Sequence, residues 1–173
     1  MAGSITLSMV VAMDQAHAIG IEGHMPWHLP DDLRWFKQVT LGKPVLMGHA
    51  TAISIGRSLP GRLNLVLSRR NGAAPFDGQQ RVSSLEEALE VCRDAGAAEL
   101  MVIGGGQVYA QCIERADRLY ISHIKTKVDE ADTWFPEFEW HQWREVSRQP
   151  HPADAQHVFA FDMITLERVQ ASV

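Results

Sequence analysis

The sequence has little that could staple, anchor or tether the chain. Only two cysteines, Cys92 and Cys112, occur in 173 residues, too few for a disulfide framework. Each falls in a segment of helical pattern, where a free thiol behaves as a small hydrophobe, so a reducing, cytoplasmic setting is the expectation. No apolar run approaches the roughly 18 residues that a spanning helix needs. The stretch Ile5 to Met13 is interrupted by Thr6 and Ser8, and Met1-Ala2-Gly3-Ser4 before it lacks the basic flank of a secretory leader. Positive charge is also scarce. The 16 Lys and Arg stand against 21 Asp and Glu, for a formal net charge of −5, so neither nucleic acid nor an anionic membrane is an expected partner. Internal repeats, low-complexity tracts and linkers are missing too, which predicts one domain, 1–173, around one core. A small-molecule partner fits such a chain best.

What is present reads as alternating strands and helices. The run ITLSMVVAM over 5–13 is β-rich without a helical stripe and predicts a buried central strand. A long connection follows over 14–29, with Gly20, Gly23 and Pro26, and a loop of that length is more often functional than idle. Pro30 suits a first helical position, and Asp31 and Asp32 behind it meet the positive end of the helix dipole. Gly42 and Pro44 end that helix. Next come a short strand over 44–48, a brief helix over 50–55 stopped by Gly56, a turn at Leu59-Pro60-Gly61 and a strand over 62–68. A Ser-x-x-Glu box in Ser83-Ser84-Leu85-Glu86-Glu87 opens a helix striped by Leu85, Ala88, Leu89 and Cys92, which Gly96 ends. ELMVI over 99–103 is a buried strand, Gly104-Gly105-Gly106 follows it, and a helix covers 107–113. Strands near 117–124, 140–147 and 157–166 complete the chain. This order predicts an α/β fold with a mainly parallel sheet, helices on both faces and antiparallel strands added late.

Three places could carry chemistry. On the helix from Pro30, Asp32 shares a face with Leu29, Leu33, Phe36 and Thr40, while Asp31 turns toward Arg34 and Gln38. Both acids complement the helix dipole in the simplest reading, but an inward carboxylate with no basic neighbour on its face needs a partner, and a ligand bearing paired N–H donors is a candidate. Gly104-Gly105-Gly106 and Gly48-His49-Ala50-Thr51 each lie between a strand and a helix, where bare backbone can approach a phosphate. A glycine run after a strand is equally often a plain loop, and this one is not the Gly-x-Gly-x-x-Gly fingerprint. His24 and His28 have ligand-like spacing, but Pro26 lies between them and no metal is expected.

Four blocks together are more specific. Met25-Pro26-Trp27-His28-Leu29-Pro30-Asp31-Asp32-Leu33, Gly42-Lys43-Pro44-Val45-Leu46-Met47-Gly48, Ser54-Ile55-Gly56-Arg57 with Leu59-Pro60-Gly61-Arg62, and Ile103-Gly104-Gly105-Gly106-Gln107-Val108-Tyr109 resemble, in order and spacing, the bacterial dihydrofolate reductases. The resemblance runs from Ile5 to about Phe161. It implies a three-layer fold with an eight-stranded, mostly parallel mixed sheet and an antiparallel C-terminal strand, in a monomer. It also implies NADPH as hydride donor, dihydrofolate as substrate, tetrahydrofolate for one-carbon metabolism as product, and antifolate inhibitors as further ligands.

By position, the resemblance makes Asp32 the active-site carboxylate, which binds the pterin and promotes protonation of N5. Ser122 supports it where the family usually has Thr, and Trp27 completes the catalytic set. Val10, Val11, Leu33, Phe36, Ile55, Leu59 and Ile103 become walls around pterin and aminobenzoate, with Arg62 clamping the glutamate α-carboxylate. Ala12, Ile19 and Gly20 become the nicotinamide end. The remaining cofactor contacts fall on Gly48, His49, Ala50, Thr51, Leu67, Ser68 and Arg69, and on Gly104, Gly105, Gly106, Gln107, Val108 and Tyr109. Here the chain departs from its relatives, which usually place Arg at His49 and often at Gln107, so Arg69 is the expected reader of the 2′-phosphate. A same-fold reductase of another heterocycle and a non-catalytic dinucleotide-binding module remain open. Asp32 with Arg62 argues against the first, and Asp32 with Trp27 against the second.

Overall fold

The computed structural model describes residues 4–21, 25–69 and 72–169. In chain order its elements are β1 (Thr6–Met13), β2 (Ala18–Gly20), α1 (Pro30–Thr40), β3 (Val45–Gly48), α2 (His49–Ile55), β4 (Asn64–Leu67), β5 (Gln79–Val82), α3 (Leu85–Asp94), β6 (Glu99–Gly104), α4 (Gly106–Cys112), β7 (Arg118–Ile124), β8 (Thr133–Trp134), β9 (Trp143–His151) and β10 (Phe161–Arg168). Eight strands form one sheet in the order β5-β4-β3-β6-β1-β7-β10-β9, and β2 pairs with β8 in a separate ribbon. Every pairing from β5 to β7 is parallel, while β10 is antiparallel to both neighbours. The late strands therefore include one reversal, since β9 runs with the rest.

Side-chain alternation sends each buried strand into two cores at once. Leu7, Met9, Val11 and Met13 of β1 pack with Leu46, Leu65, Leu100 and Val102 and with the inner faces of α3 and α4. Val10, Val45, Met47, Val66, Met101 and Ile103 face the other way, against Ala52 of α2 and Phe36 of α1. Because both faces are covered, these strands read as near-continuous apolar runs. The edges are different. β9 is mostly exposed and carries Arg144, Arg148 and Pro150, all unfavourable to further pairing.

Local signals explain most element ends. Ser84 Oγ accepts from the Glu87 N–H at 3.0 Å, and the Glu87 carboxylate reaches back to the Ser83 N–H at 2.7 Å, so the box closes one residue earlier than its usual form. Gly56 ends α2 with φ 81, a conformation costly for other residues. Three features were not anticipated. β5 was missed because Gln79-Gln80-Arg81-Val82 buries one apolar residue and joins the sheet through backbone bonds. The β2–β8 ribbon carries no alternation to read. The last two strands also run Trp143–His151 and Phe161–Arg168, a few residues beyond the expected limits.

Cys92 and Cys112 are buried free thiols, as expected, and burial pushes each up to about 11. Leu100, fully buried between the sheet and its helices, is a direct probe of this packing. Leu100→Ala is expected to cost about 2–5 kcal/mol, and Ser84→Ala about 1 kcal/mol through loss of the cap. Urea unfolding checks both, and equal losses would contradict this account of the core.

Candidate active site

The sheet order decides where a ligand can enter. From β3 the chain moves outward to β4, whereas from the adjacent β6 it crosses β1 to β7. Neighbouring strands whose connections diverge leave a crevice beyond their C-terminal ends. A cleft of about 1370 Å³ opens there, larger than the roughly 300–1,000 Å³ of a single drug-sized ligand site. It has room for two ligands in contact.

Glycine forms the floor of one end of the cleft. A Cβ on Gly48 would lie 3.0 Å from Val108 Cγ2, one on Gly105 3.2 Å from Thr51 Oγ1, and one on Gly106 3.0 Å from Thr133 Cγ2. Gly104, with φ 130, is joined to Gly105 by a cis peptide. The two glycine segments thus pack closely enough to leave bare backbone facing the cleft, which suits a dinucleotide. Tyr109 lies behind them and donates its hydroxyl to Val10 O at 2.6 Å, and complete burial pushes its ionisation far up, so it stays a donor.

The other end is built around Asp32. This residue is 6% exposed, and one oxygen accepts a short hydrogen bond from the Ser122 hydroxyl on β7. Burial pushes its carboxyl up to about 6, with the Ser122 bond pulling the other way. Leu33 and Phe36 share its side of α1, but Leu33 is 42% exposed. Leu33 is turned to the open cleft, while Phe36 lines the cleft and also packs against the core of Val10, Met47 and Ile103. Farther out, Arg62 donates from Nε to Pro60 O at 2.9 Å and from Nη1 to Thr40 Oγ1 at 3.0 Å. Those bonds orient a guanidinium whose ionisation is lowered by partial burial and by neighbouring Arg57. Among the described residues neither arginine is paired with a carboxylate, so this rim suits an anionic ligand tail.

The structure gathers almost all the expected site residues in this one cleft. Val10, Val11, Ala12, Ile19, Gly20, Leu33, Phe36, Ile55, Leu59, Arg62, Ile103 and Ser122 line it with Asp32. So do Gly48, His49, Ala50, Thr51, Leu67, Ser68, Arg69, Gly104, Gly105, Gly106, Gln107, Val108 and Tyr109. Trp27 is the exception. It is buried with Leu29, Ile124, Phe161 and Met163, and among the described residues its indole N–H meets no acceptor. Asp31 pairs with Arg34 at 3.1 Å, as its helix face implies, and also with His151 Nε2 at 2.7 Å, from 120 residues away. His24 lies outside the described residues.

Several lining residues were not foreseen. Lys37 and Arg57 add charge at the rim, and Thr133 and Trp134 wall the glycine-lined end. Arg81 of β5 adjoins His49 and Ser68 in a side cavity of about 80 Å³. The Ser54-Ile55-Gly56-Arg57 block held a signal for Arg57, whereas residues 132–134 carry none.

Comparison with known proteins decides among the readings left open. The sequence model of the family described as dihydrofolate reductase matches residues 6–168. The chain belongs to the dihydrofolate reductase family. It is 46% identical over 162 residues to the type 3 dihydrofolate reductase of Salmonella typhimurium, covering 94% of this chain and 98% of that one. It is 42% identical over 164 residues to the dihydrofolate reductase of Haemophilus influenzae, covering 95% and 99%. The solved dihydrofolate reductase of Enterococcus faecalis, complexed with NADP(H) and RAB-propyl, superposes with a TM-score of 0.87 at 33% identity, covering 98% and 99%. The reductase therefore carries out NADPH-dependent reduction of dihydrofolate.

The raised pKa of Asp32 has a consequence for stability. A carboxyl that folds with its pKa above the unfolded value favours the native state while protonated, and that advantage is lost as pH rises from about 4 through 6. Asp32→Asn, which stays neutral, is expected to be more stable than the wild type at pH 8, by up to about 3 kcal/mol at about 1.4 kcal/mol per pKa unit. The gap should close below pH 4. Unfolding measured across this range checks the sign, and a variant less stable at pH 8 would contradict the burial argument.

Proposed function

We propose that Asp32 is the acid–base group of this reductase, with Ser122 as its support, and that the remaining cleft residues divide between the two ligands. The observation that carries this reading is a carboxylate raised to about 6, buried beside one hydroxyl at the closed end of the cleft. A pterin's 2-amino group and ring N–H supply the paired donors that such a carboxylate needs. Val10, Leu33, Phe36, Ile55, Leu59 and Ile103 hold the flat rings, and Arg62 meets the glutamate α-carboxylate, with Arg57 adding charge. Val11 and Trp27 back this end, and the buried indole N–H suits a bound water.

The cofactor end fits NADPH on the chain's own evidence, since the glycine floor admits backbone contact to phosphates. Ala12, Ile19 and Gly20 face the nicotinamide. Gly48, Ala50 and Thr51, with Gly104, Gly105, Gly106, Gln107, Val108 and Tyr109, hold the dinucleotide, and Leu67, Ser68, Arg69 and His49 its adenosine half. NADPH, when bound, supplies the hydride. The protein aligns the reacting carbons, an arrangement worth roughly 7–11 kcal/mol of a barrier. Asp32 polarises the pterin so that N5 takes a proton from water. We further take the chain to work as a single-domain monomer, 1–173, in the cytoplasm. Buried free cysteines support the compartment, and no described helix is long and apolar enough to cross a membrane.

Asp32→Asn is expected to lower turnover by orders of magnitude at neutral pH and less at acid pH, where substrate arrives protonated. Steady-state rates over that range test it, and near-normal turnover at pH 7 would remove Asp32 from catalysis. Arg62→Leu should weaken dihydrofolate by roughly 1.5–3 kcal/mol and leave a pterin without the glutamate tail unaffected. Equal losses for both ligands would make its role structural. Arg69→Ala and Arg81→Ala should each lower the ratio of kcat/KM for NADPH over NADH, and an unchanged ratio in both would place the 2′-phosphate elsewhere.

A further inference from the structure

Helix α1, which carries Asp32, starts without a side-chain cap of its own. Its N-cap residue is Leu29, whose side chain is 2% exposed and packs with Trp27, Ile124, Phe161 and Met163. The position that Ser, Thr or Asp usually fills is thus given over to packing. The orphan N–H of Asp31 is satisfied from far along the chain instead, donating to Nε2 of His157 at 3.0 Å. His157 is 1% exposed. Because Nε2 accepts, the ring proton sits on Nδ1, 2.8 Å from Asp154 Oδ1. Asp154 is fixed in turn by the Gln156 N–H at 2.9 Å. His151 closes the same cluster, donating from Nδ1 to Pro152 O and from Nε2 to the Asp31 carboxylate, both at 2.7 Å, with its ring stacked on Phe161.

We infer that His157, oriented by Asp154, is a positioning residue for Asp32. The bond to Nε2 pins the peptide N–H one residue before Asp32, while the N–H groups of Asp32 and Leu33 both turn back to Leu29 O. On its other side the Asp32 carboxylate has only the Ser122 hydroxyl among the described residues. A slip of the first turn therefore passes directly into the distance between Asp32 and the pterin. The rival reading of the cluster is a metal site, since ligand atoms of Asp31, His151 and His157 lie within 4.8 Å of one another. All four ring nitrogens already have hydrogen-bond partners, so the geometry favours the brace.

The test compares hydride transfer in single turnover, with NADPH and dihydrofolate, in His157→Ala, His157→Phe and His157→Gln, each in wild-type and Asp32→Asn backgrounds. His157→Ala and His157→Phe should slow the step about ten- to a hundredfold in the wild-type background and leave NADPH affinity unchanged. In the Asp32→Asn background the same changes should cost less than about twofold, since the two residues act as a unit. The amide of Gln can accept from Asp31 and donate to Asp154, so His157→Gln should restore most of the rate. Asp154→Ala, at a half-exposed site, should show the same coupling if His157→Ala does not fold. Equal losses in both backgrounds, or full hydride-transfer rates in folded His157→Ala, would overturn the inference. So would a stoichiometric rise in Tm with Zn²⁺ that His157→Ala abolishes.

Discussion

A carboxylate kept out of water is the constraint on which the cleft depends. An isolated charge in an apolar setting costs several kcal/mol, roughly, unless it is paired or protonated. Asp32 is given one hydroxyl, that of Ser122, and no cation among the described residues. That partial satisfaction leaves its carboxyl at about 6, where it exchanges protons near neutral pH and still has an acceptor free for a ligand. A full ion pair would have stabilised the fold more and left nothing for the pterin.

The rest of the architecture serves that placement. β1 and β7 are neighbours, so the strand that lines the cleft through Val10 sits beside the one that presents Ser122. α1 lines the cleft with Asp32, Leu33 and Phe36, and the diverging connections of β3 and β6 open its glycine-lined end. Tyr109 ties the two ends together through its bond to Val10 O. One side of this arrangement is chemistry and the other is packing, and Leu29 shows the two competing for the same position.

Where side-chain periodicity governs an element, the sequence was easy to read. β1 and β6 are nearly continuous apolar runs because both faces are buried, and α3 announces itself by its cap and stripe. The inward turn of Asp32 followed from its helix face, and the glycine segments from their place after strands. What stayed hidden depends on distant backbone. β5 and β8 pair through N–H and C=O groups that any residue supplies. The engagement of Asp31 with His151 and His157 spans more than 100 residues and leaves no local pattern. Trp27 was assigned to the site with its motif, and only the packing of Leu29, Phe161 and Met163 around it places the ring behind the cleft wall.

The most direct test is the ionisation of Asp32 itself. Infrared difference spectra of the carboxyl stretch, wild type minus Asp32→Asn and recorded as pH is varied in the ligand-free protein, isolate that one group. The account predicts a midpoint near 6. A midpoint at the ordinary carboxylate value of about 3.9 would mean that the group is solvated, and the account of the site built on its burial would fail.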